Sequence, residues 1–132
     1  MIVLDTSAVM AWLEQEPEAE RIEALFLSGE PLGISAGTMV ETGIVVESRR
    51  GEAGGRELDL FLHRLGVAVV PLDREHVELA RAAYRRFGKG RHPAGLNLGD
   101  CFSYALAAST GSRLLYVGDD FTKTDITAAL AG

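Results

Sequence analysis

The chain has 132 residues, enough to bury the core of one domain but too few for two independent domains. Its 47% apolar and 24% charged residues are typical of globular proteins and argue against a disordered chain. The formal net charge of -6, from 13 basic and 19 acidic residues, argues against nucleic-acid binding by overall charge. We therefore expect a single domain over residues 1–132.

The sequence shows no targeting or membrane segment. No apolar run approaches the roughly 20 residues of a membrane helix, and the first residues lack the basic region of a secretory signal. We expect a cytoplasmic protein with no membrane partner. The single cysteine, Cys101, lies in an apolar stretch and is predicted to be a buried thiol.

In the first half of the chain, short apolar runs alternate with segments of helical periodicity. The predicted elements are a strand at 2–4, helices at 6–13 and 17–29, a strand at 32–35, and two amphipathic helices at 37–50 and 58–65. Thr6 is placed to cap the first helix. The glycine-rich residues 51–55 are predicted to form a turn between the last two helices.

The second half of the chain continues the alternation. The predicted elements are a strand at 67–70 buried on both faces, a helix at 73–87, a loop at 88–96, a helix at 98–109, a buried strand at 114–117 and a terminal helix at 125–130. Strands that alternate with helices indicate an α/β fold, with a parallel sheet covered by helices on both faces.

Acidic residues fall where such a sheet gathers its functional groups, at the carboxyl ends of its strands. Asp5 closes the first strand, and Asp119 and Asp120 follow the last. Asp100 lies in the first turn of its helix, and Glu41 lies one turn into another. Each alone could be a cap, a turn residue or part of a solvated face. Together they would repel one another unless a cation lay between them.

Such a set of carboxylates points to phosphoryl transfer assisted by a metal. Hard oxygen ligands without a matching Cys/His set favour Mg²⁺ or Mn²⁺ over zinc. The sequence contains no phosphate-binding loop, dinucleotide fingerprint or nucleophile elbow. An aspartyl phosphatase would also begin with a strand ending in Asp, but it needs a second Asp where this chain has Ser7.

A basic segment stands out from the acidic background. Residues 81–91 contain five basic residues and no acidic one. This segment could guide an RNA backbone, although a solvated helix face explains the same charges. His92 has no acidic partner in its motif, which favours contact with RNA or a solvated loop over catalysis.

Four separated motifs occur in a family-specific order. They are IVLDTSA at 2–8, TMVETG at 38–43, LNLGDCFSYALA at 96–107 and LLYVGDDFTKTDI at 114–126. Together they resemble the PIN-domain ribonucleases, specifically the VapC-type toxins of bacterial toxin–antitoxin pairs. The resemblance spans residues 2–126 and implies a three-layer α/β/α sandwich with a short, mostly parallel sheet.

The resemblance also implies roles for the acids. Asp5 and Asp100 would be the principal Mg²⁺ ligands, with Mn²⁺ as a possible substitute, and Glu41 would complete the acidic site. Asp120 matches the family's GxDF pattern and would be the fourth acid, with Asp119 ranked second.

Two hydroxyl residues match family positions after the first acid. Thr6 and Ser7 could each orient a ligand of the metal through a hydrogen bond. For Thr6, a plain helix cap remains an equal alternative.

By the same resemblance the protein would be a Mg²⁺-dependent endoribonuclease toxin that forms a homodimer and is neutralised by a cognate VapB-type antitoxin. RNA contacts are predicted for the residues of the basic segment and its loop: Arg85, Arg86, Lys89, Arg91 and His92. Two alternatives remain open: an RNA-processing nuclease of the PIN type that is not a toxin, and a catalytically inactive PIN-like binding module.

Overall fold

The computed structural model describes residues 1–130, in which helices and strands alternate. The elements are β1 (Ile2–Leu4), α1 (Thr6–Leu13), α2 (Ala19–Phe26), β2 (Leu32–Ser35), α3 (Ala36–Arg64), β3 (Ala68–Val70), α4 (Arg74–Phe87), α5 (Leu98–Thr110) and β4 (Arg113–Leu115). No helix within residues 1–130 is long and apolar enough to cross a membrane.

The four strands form one parallel sheet in the order β3-β2-β1-β4. Because β1 lies between β2 and β4, its three residues are completely buried. All four carboxyl ends point to the same edge of the sheet, as parallel pairing requires. The chain turns from β1 into α1 and from β2 into α3 at this edge.

The alternation of side chains along β1 divides the core into two layers. Ile2 and Leu4 pack with residues of α1, α2 and α3, whereas Val3 packs with residues of α4 and α5. Helices therefore cover both faces of the sheet, which confirms the predicted α/β/α sandwich. Cys101 is buried in the second layer, also as predicted.

Strand β3 differs from its prediction. It lies at one edge of the sheet, and Val69 is 54% exposed. The prediction that this strand is buried on both faces was wrong, because an apolar run does not show the position of a strand within the sheet.

Two helical segments meet at Gly51, as predicted, but the break is a kink at this one residue rather than a turn over residues 51–55. Gly51 has φ 71° and ψ -175°, and the two segments together make up α3. Gly51 supplies a positive φ that other residues rarely adopt, so the helix bends and then resumes.

The predicted terminal helix at 125–130 is also wrong. The amide of Leu114 donates to the carbonyl of Thr127, and the amide of Ala129 donates to the carbonyl of Leu114. Residues 127–129 therefore run beside β4 and cover part of its edge, an arrangement that helical periodicity cannot predict.

Candidate active site

Asp5 lies where β1 ends and α1 begins, and it is 4% exposed. Its Oδ2 accepts hydrogen bonds from the amide and the hydroxyl of Ser7, at 3.1 and 2.6 Å. Asp5 is thus the N-cap of α1, and Thr6 is the first residue of the helix. The prediction that Thr6 caps this helix was wrong, because the preceding carboxylate already occupies the capping position.

The other oxygen of Asp5 is held from the opposite layer of the sandwich. Ser103, on α5, donates its hydroxyl to Oδ1 at 2.6 Å. The hydroxyls of Ser103 and Thr38 lie 3.1 Å apart. Ser7 is also fixed, because its Oγ accepts the amide of Val117 at 3.0 Å. Elements from both layers and the segment after β4 therefore position one carboxylate.

Glu41 lies on the second turn of α3, and its carboxylate faces α1 and α5. Its Oε1 accepts the hydroxyl of Thr6 at 2.6 Å, and that hydroxyl also lies 2.8 Å from Thr42 Oγ1. A Cβ at Gly99 would be 2.1 Å from Glu41 Oε2, so the missing side chain at Gly99 allows this close approach. Thr6 orients an acid rather than capping a helix.

Asp100 lies in the first turn of α5 and has a local structural role. Its Oδ2 accepts the Asn97 amide at 3.0 Å, while its own amide donates to Asn97 Oδ1 at 2.9 Å. This reciprocal pair is a capping box that satisfies two amides at the start of the helix. The simpler prediction, that Asp100 helps to cap its helix, is therefore confirmed.

Asp100 also has a strongly shifted pKa, which capping does not explain. Burial raises the pKa of this carboxyl from its ordinary 3.8 to about 7, although the Asn97 amide opposes the shift. The negative charges of Asp5, Asp120 and Glu41 raise the pKa further. All four acids are thus close enough to interact at one edge of the sheet.

The charges of the two acids after β4 act on different titratable groups. Asp120 is among the charges that raise the pKa of Asp100. Asp119 acts on Tyr116, whose pKa is raised by burial and by that carboxylate. This difference favours Asp120 as the fourth acid of the cluster.

The acids do not form a ready-made metal cage. Among residues 1–130, no group of three or more His, Cys, Asp or Glu side chains could hold a metal ion by itself. The donor chemistry nevertheless fits a hydrated Mg²⁺, which keeps several waters and takes one or two carboxylates from the protein. The buried carboxylates of Asp5 and Asp100 are the pair that could supply them.

Arg85 of the basic segment lies on a groove that leads toward the acids. Arg81 and Arg85 line a cavity of about 610 Å³ between α4 and α5, together with Leu98 and Phe102. The same Leu98 and Phe102 also line a second cavity of about 410 Å³, which includes Glu41. Cationic side chains and an acid of the cluster therefore lie on adjoining grooves.

Three of the other four predicted RNA contacts have local partners: Arg86, Arg91 and His92. Arg86 lies 3.6 Å from Asp125 and stacks over the ring of Phe87. Arg91 lies over the ring of Tyr84, and Lys89 is exposed. The half-buried His92 packs edge-on against Phe87 and accepts a backbone amide on Nδ1. These contacts favour a structural role for His92 over catalysis.

Three buried hydroxyl residues beside the acids were not predicted from the sequence. Ser103 and Thr38 lead to Asp5, and Thr42 contacts Thr6 beside Glu41; all three are completely buried. Ser103 lies three residues after Asp100, which places both on one face of a helix. That spacing is a signal that could have found Ser103. The sequence carries no comparable signal for its contact with Thr38, 65 residues away.

Sequence comparison identifies close relatives over almost the whole chain. The PIN domain family model matches residues 2–126. A "Ribonuclease VapC" from Mycolicibacterium smegmatis is 54% identical over 127 residues, covering 96% of this chain and 98% of the relative. "Ribonuclease VapC30" from Mycobacterium tuberculosis is 53% identical over 125 residues, covering 95% of each chain.

Solved structures share the fold at lower identity. VapC20 from Mycobacterium tuberculosis, described as a Sarcin-Ricin loop cleaving toxin, superposes with a TM-score of 0.74 at 19% identity, covering 96% of this chain and 97% of that one. VapBC2 from Rickettsia felis, bound to a promoter DNA fragment, gives 0.73 at 17% identity, covering 97% and 96%. Together with the sequence relatives, these matches show that the chain belongs to the PIN-domain family, in its VapC-type branch.

Proposed function

We propose that this protein is a Mg²⁺-dependent endoribonuclease that acts as the toxin of a bacterial toxin–antitoxin pair, with Mn²⁺ able to replace Mg²⁺. The observation that carries the proposal is the buried carboxyl of Asp100. Its pKa is raised to about 7 by burial and by the negative charges of Asp5, Asp120 and Glu41. A cation at this point would relieve the repulsion and favour the ionised carboxylates. Divalent-metal dependence is general among PIN-domain nucleases of the VapC type.

The residues of the site would have different roles. Asp5 and Asp100 would hold the ion, and Glu41 and Asp120 would bind it directly or through water. The bound ion would supply an activated water and offset the charge that builds on the phosphate. Ser7 and Thr6 would keep the carboxylates of Asp5 and Glu41 directed into the site through their hydroxyl groups.

The substrate path would run along the grooves beside the acids. Arg81 and Arg85 carry positive charge next to the apolar walls of Leu98 and Phe102. Single-stranded RNA is gripped by this combination, because cations pair with the phosphates while bases pack against apolar and aromatic side chains. The groove would thus lead an RNA strand toward Glu41.

We further propose a cognate VapB-type antitoxin and a homodimer. Among the solved structures of similar fold is a toxin–antitoxin complex from Klebsiella pneumoniae, with a TM-score of 0.70. On this chain, Val40 and Ile44 are each 63% exposed and Leu98 is 71% exposed. Apolar side chains grouped on one surface are typical of protein contacts.

The activity is tested by incubating the purified protein with total tRNA, rRNA and mRNA in Mg²⁺ and in EDTA. We expect internal cleavage of one RNA class in the presence of Mg²⁺ and no cleavage in EDTA. The Asp5→Asn variant, purified in parallel, should be inactive, which excludes a contaminating nuclease. Equal cleavage by wild type and variant would contradict the proposal, and no cleavage of any RNA would favour an inactive binding module.

A related nuclease that processes RNA would pass the same assay. Expression in a host cell separates the two functions, since a toxin should arrest growth and the Asp5→Asn variant should not. Coexpression of a short DNA-binding protein encoded next to the gene should restore growth. Normal growth despite proven cleavage would favour the processing nuclease.

A further inference from the structure

A chain of hydroxyl groups connects α3 to Asp5 through the middle of α5. Thr38 Oγ1 lies 3.1 Å from Ser103 Oγ, which lies 2.6 Å from Asp5 Oδ1. Thr38 and Ser103 are completely buried, and Asp5 is 4% exposed. Water is therefore largely excluded from these contacts, and each group depends on its protein partner.

The number of available protons fixes the direction of the chain. An ionised carboxylate only accepts hydrogen bonds, so Ser103 must donate its single hydroxyl proton to Asp5. The hydrogen bond between Ser103 and Thr38 then requires Thr38 to be the donor. Both hydroxyls thus point toward Asp5, and polarisation along such a chain strengthens each bond.

Ser103 holds an oxygen of Asp5 that the helix beginning there does not hold. Ser7, at the start of α1, donates twice to Oδ2, whereas Ser103 donates to Oδ1 from the opposite layer of the sandwich. Two anchors on different oxygens prevent rotation of the carboxylate about its Cβ–Cγ bond. If Ser7 were the only anchor, the carboxylate of Asp5 could rotate and Oδ1 would lose its fixed orientation.

The same contact fixes the distance between two proposed ligands. Ser103 is on α5, one turn after Asp100, whose position is set by its capping box with Asn97. A hydrogen bond from Ser103 to Asp5 therefore ties one acid to the helix that carries the other. Such a link matters for a metal site that takes only two buried carboxylates from the protein.

We propose that Ser103 is a positioning residue that holds Asp5 in register with Asp100 for divalent-metal binding, with Thr38 as its supporting donor. The inference rests on the proposed metal-dependent function. Ser103 does not need to touch the metal or the RNA. It acts through the direction of one carboxylate oxygen.

The test is Mn²⁺ binding to the purified protein, measured by calorimetry together with RNA affinity in EDTA. Ser103→Ala should weaken Mn²⁺ binding by about tenfold or more, the usual effect of losing a group that orients a metal ligand. RNA affinity in EDTA should not change. Thr38→Val, which keeps the volume and removes only the outer donor, should weaken Mn²⁺ binding less than Ser103→Ala, and Ser103→Thr should restore much of it.

Ser109→Ala is the matched control. It removes a hydroxyl on the same helix that bonds His76 and a backbone carbonyl rather than an acid, so Mn²⁺ affinity should equal that of the wild type. Wild-type affinity in a folded Ser103→Ala variant would overturn the proposal. If that variant does not fold, the Thr38→Val result decides: weaker binding supports the role and unchanged binding overturns it. A wild type that binds no Mn²⁺ and cleaves no RNA would instead overturn the proposed function, and the role of Ser103 with it.

Discussion

Replacing Asp100 with Asn should stabilise the metal-free protein at neutral and alkaline pH. The carboxyl has a pKa of about 7 in the fold, against an ordinary value of 3.8. At about 1.4 kcal/mol per pH unit, this difference corresponds to about 4 kcal/mol of lost stability once both states are ionised. The amide of Asn carries no proton to lose, and the pKa of about 7 already includes the favourable hydrogen bond of the carboxylate at the start of the helix. We therefore expect a gain of about 4 kcal/mol from this substitution.

The pH dependence gives the sign of the effect. Because folding raises the pKa of Asp100, the cost is absent below about pH 4, grows between about pH 4 and 7, and is complete above about pH 7. Thermal unfolding in EDTA at pH 4, 6 and 8 should show equal stability at the lowest pH. At pH 8 the variant should melt higher by roughly 15 °C, as expected for a domain of this size.

Two controls make this measurement specific. Asp59→Asn, at an exposed position on α3, should change stability by less than about 0.5 kcal/mol at every pH. Added Mg²⁺ should stabilise the wild type and leave the Asp100→Asn variant unaffected, because binding to the folded state raises apparent stability. If the Asp100→Asn variant is no more stable than the wild type at pH 8, the burial and repulsion inferred for Asp100 are wrong and capping is its whole role.

Three further predictions concern other parts of the proposed site. Gly99→Ala should leave the circular dichroism spectrum unchanged but reduce RNA cleavage by about 100-fold, because the new Cβ displaces Glu41 and misplacement by an ångström has effects of this size. Gly43→Ala, with room for a Cβ on the same helix as Glu41, should remain active; equal activity of both variants would exclude a role for Glu41. Arg81→Ala combined with Arg85→Ala should reduce the log–log salt slope of RNA binding by about 0.7 for each lost phosphate contact, and an unchanged slope would place the substrate elsewhere. Crystals soaked in Mn²⁺ should show anomalous density between the two buried aspartates, and density only at other positions would rule out this site.

The layers of the fold and the meeting of the acids could be predicted because both follow from local patterns. Alternating strands and helices imply parallel pairing, and parallel pairing brings the strand ends to one edge. Asp5 and Asp120 follow two strands that are neighbours in the sheet, β1 and β4. Predicting that Asp5 and Asp120 lie close together therefore required only the correct order of helices and strands.

The errors have a common physical origin. Strand β3 is exposed because it lies at the edge, and residues 127–129 run beside β4 because its edge was open to them. Neither position is encoded in the hydrophobic period of the segment itself. The contact between Thr38 and Ser103 is likewise a product of how α3 and α5 pack, which depends on the whole sandwich.

The carboxylate of Asp100 has two opposite effects on the stability of the fold. At the third position of a capped helix an acid is favoured, because it bonds a free amide and faces the positive end of the dipole. Burial, together with three neighbouring acids, makes the same charge unfavourable, and these effects raise the pKa of the Asp100 carboxyl to about 7 in the metal-free fold. An Asn at this position would keep an oxygen for the cap without the charge. In the proposed function the carboxylate is needed to bind a divalent cation, which would change the same repulsion into attraction and couple metal binding to stability.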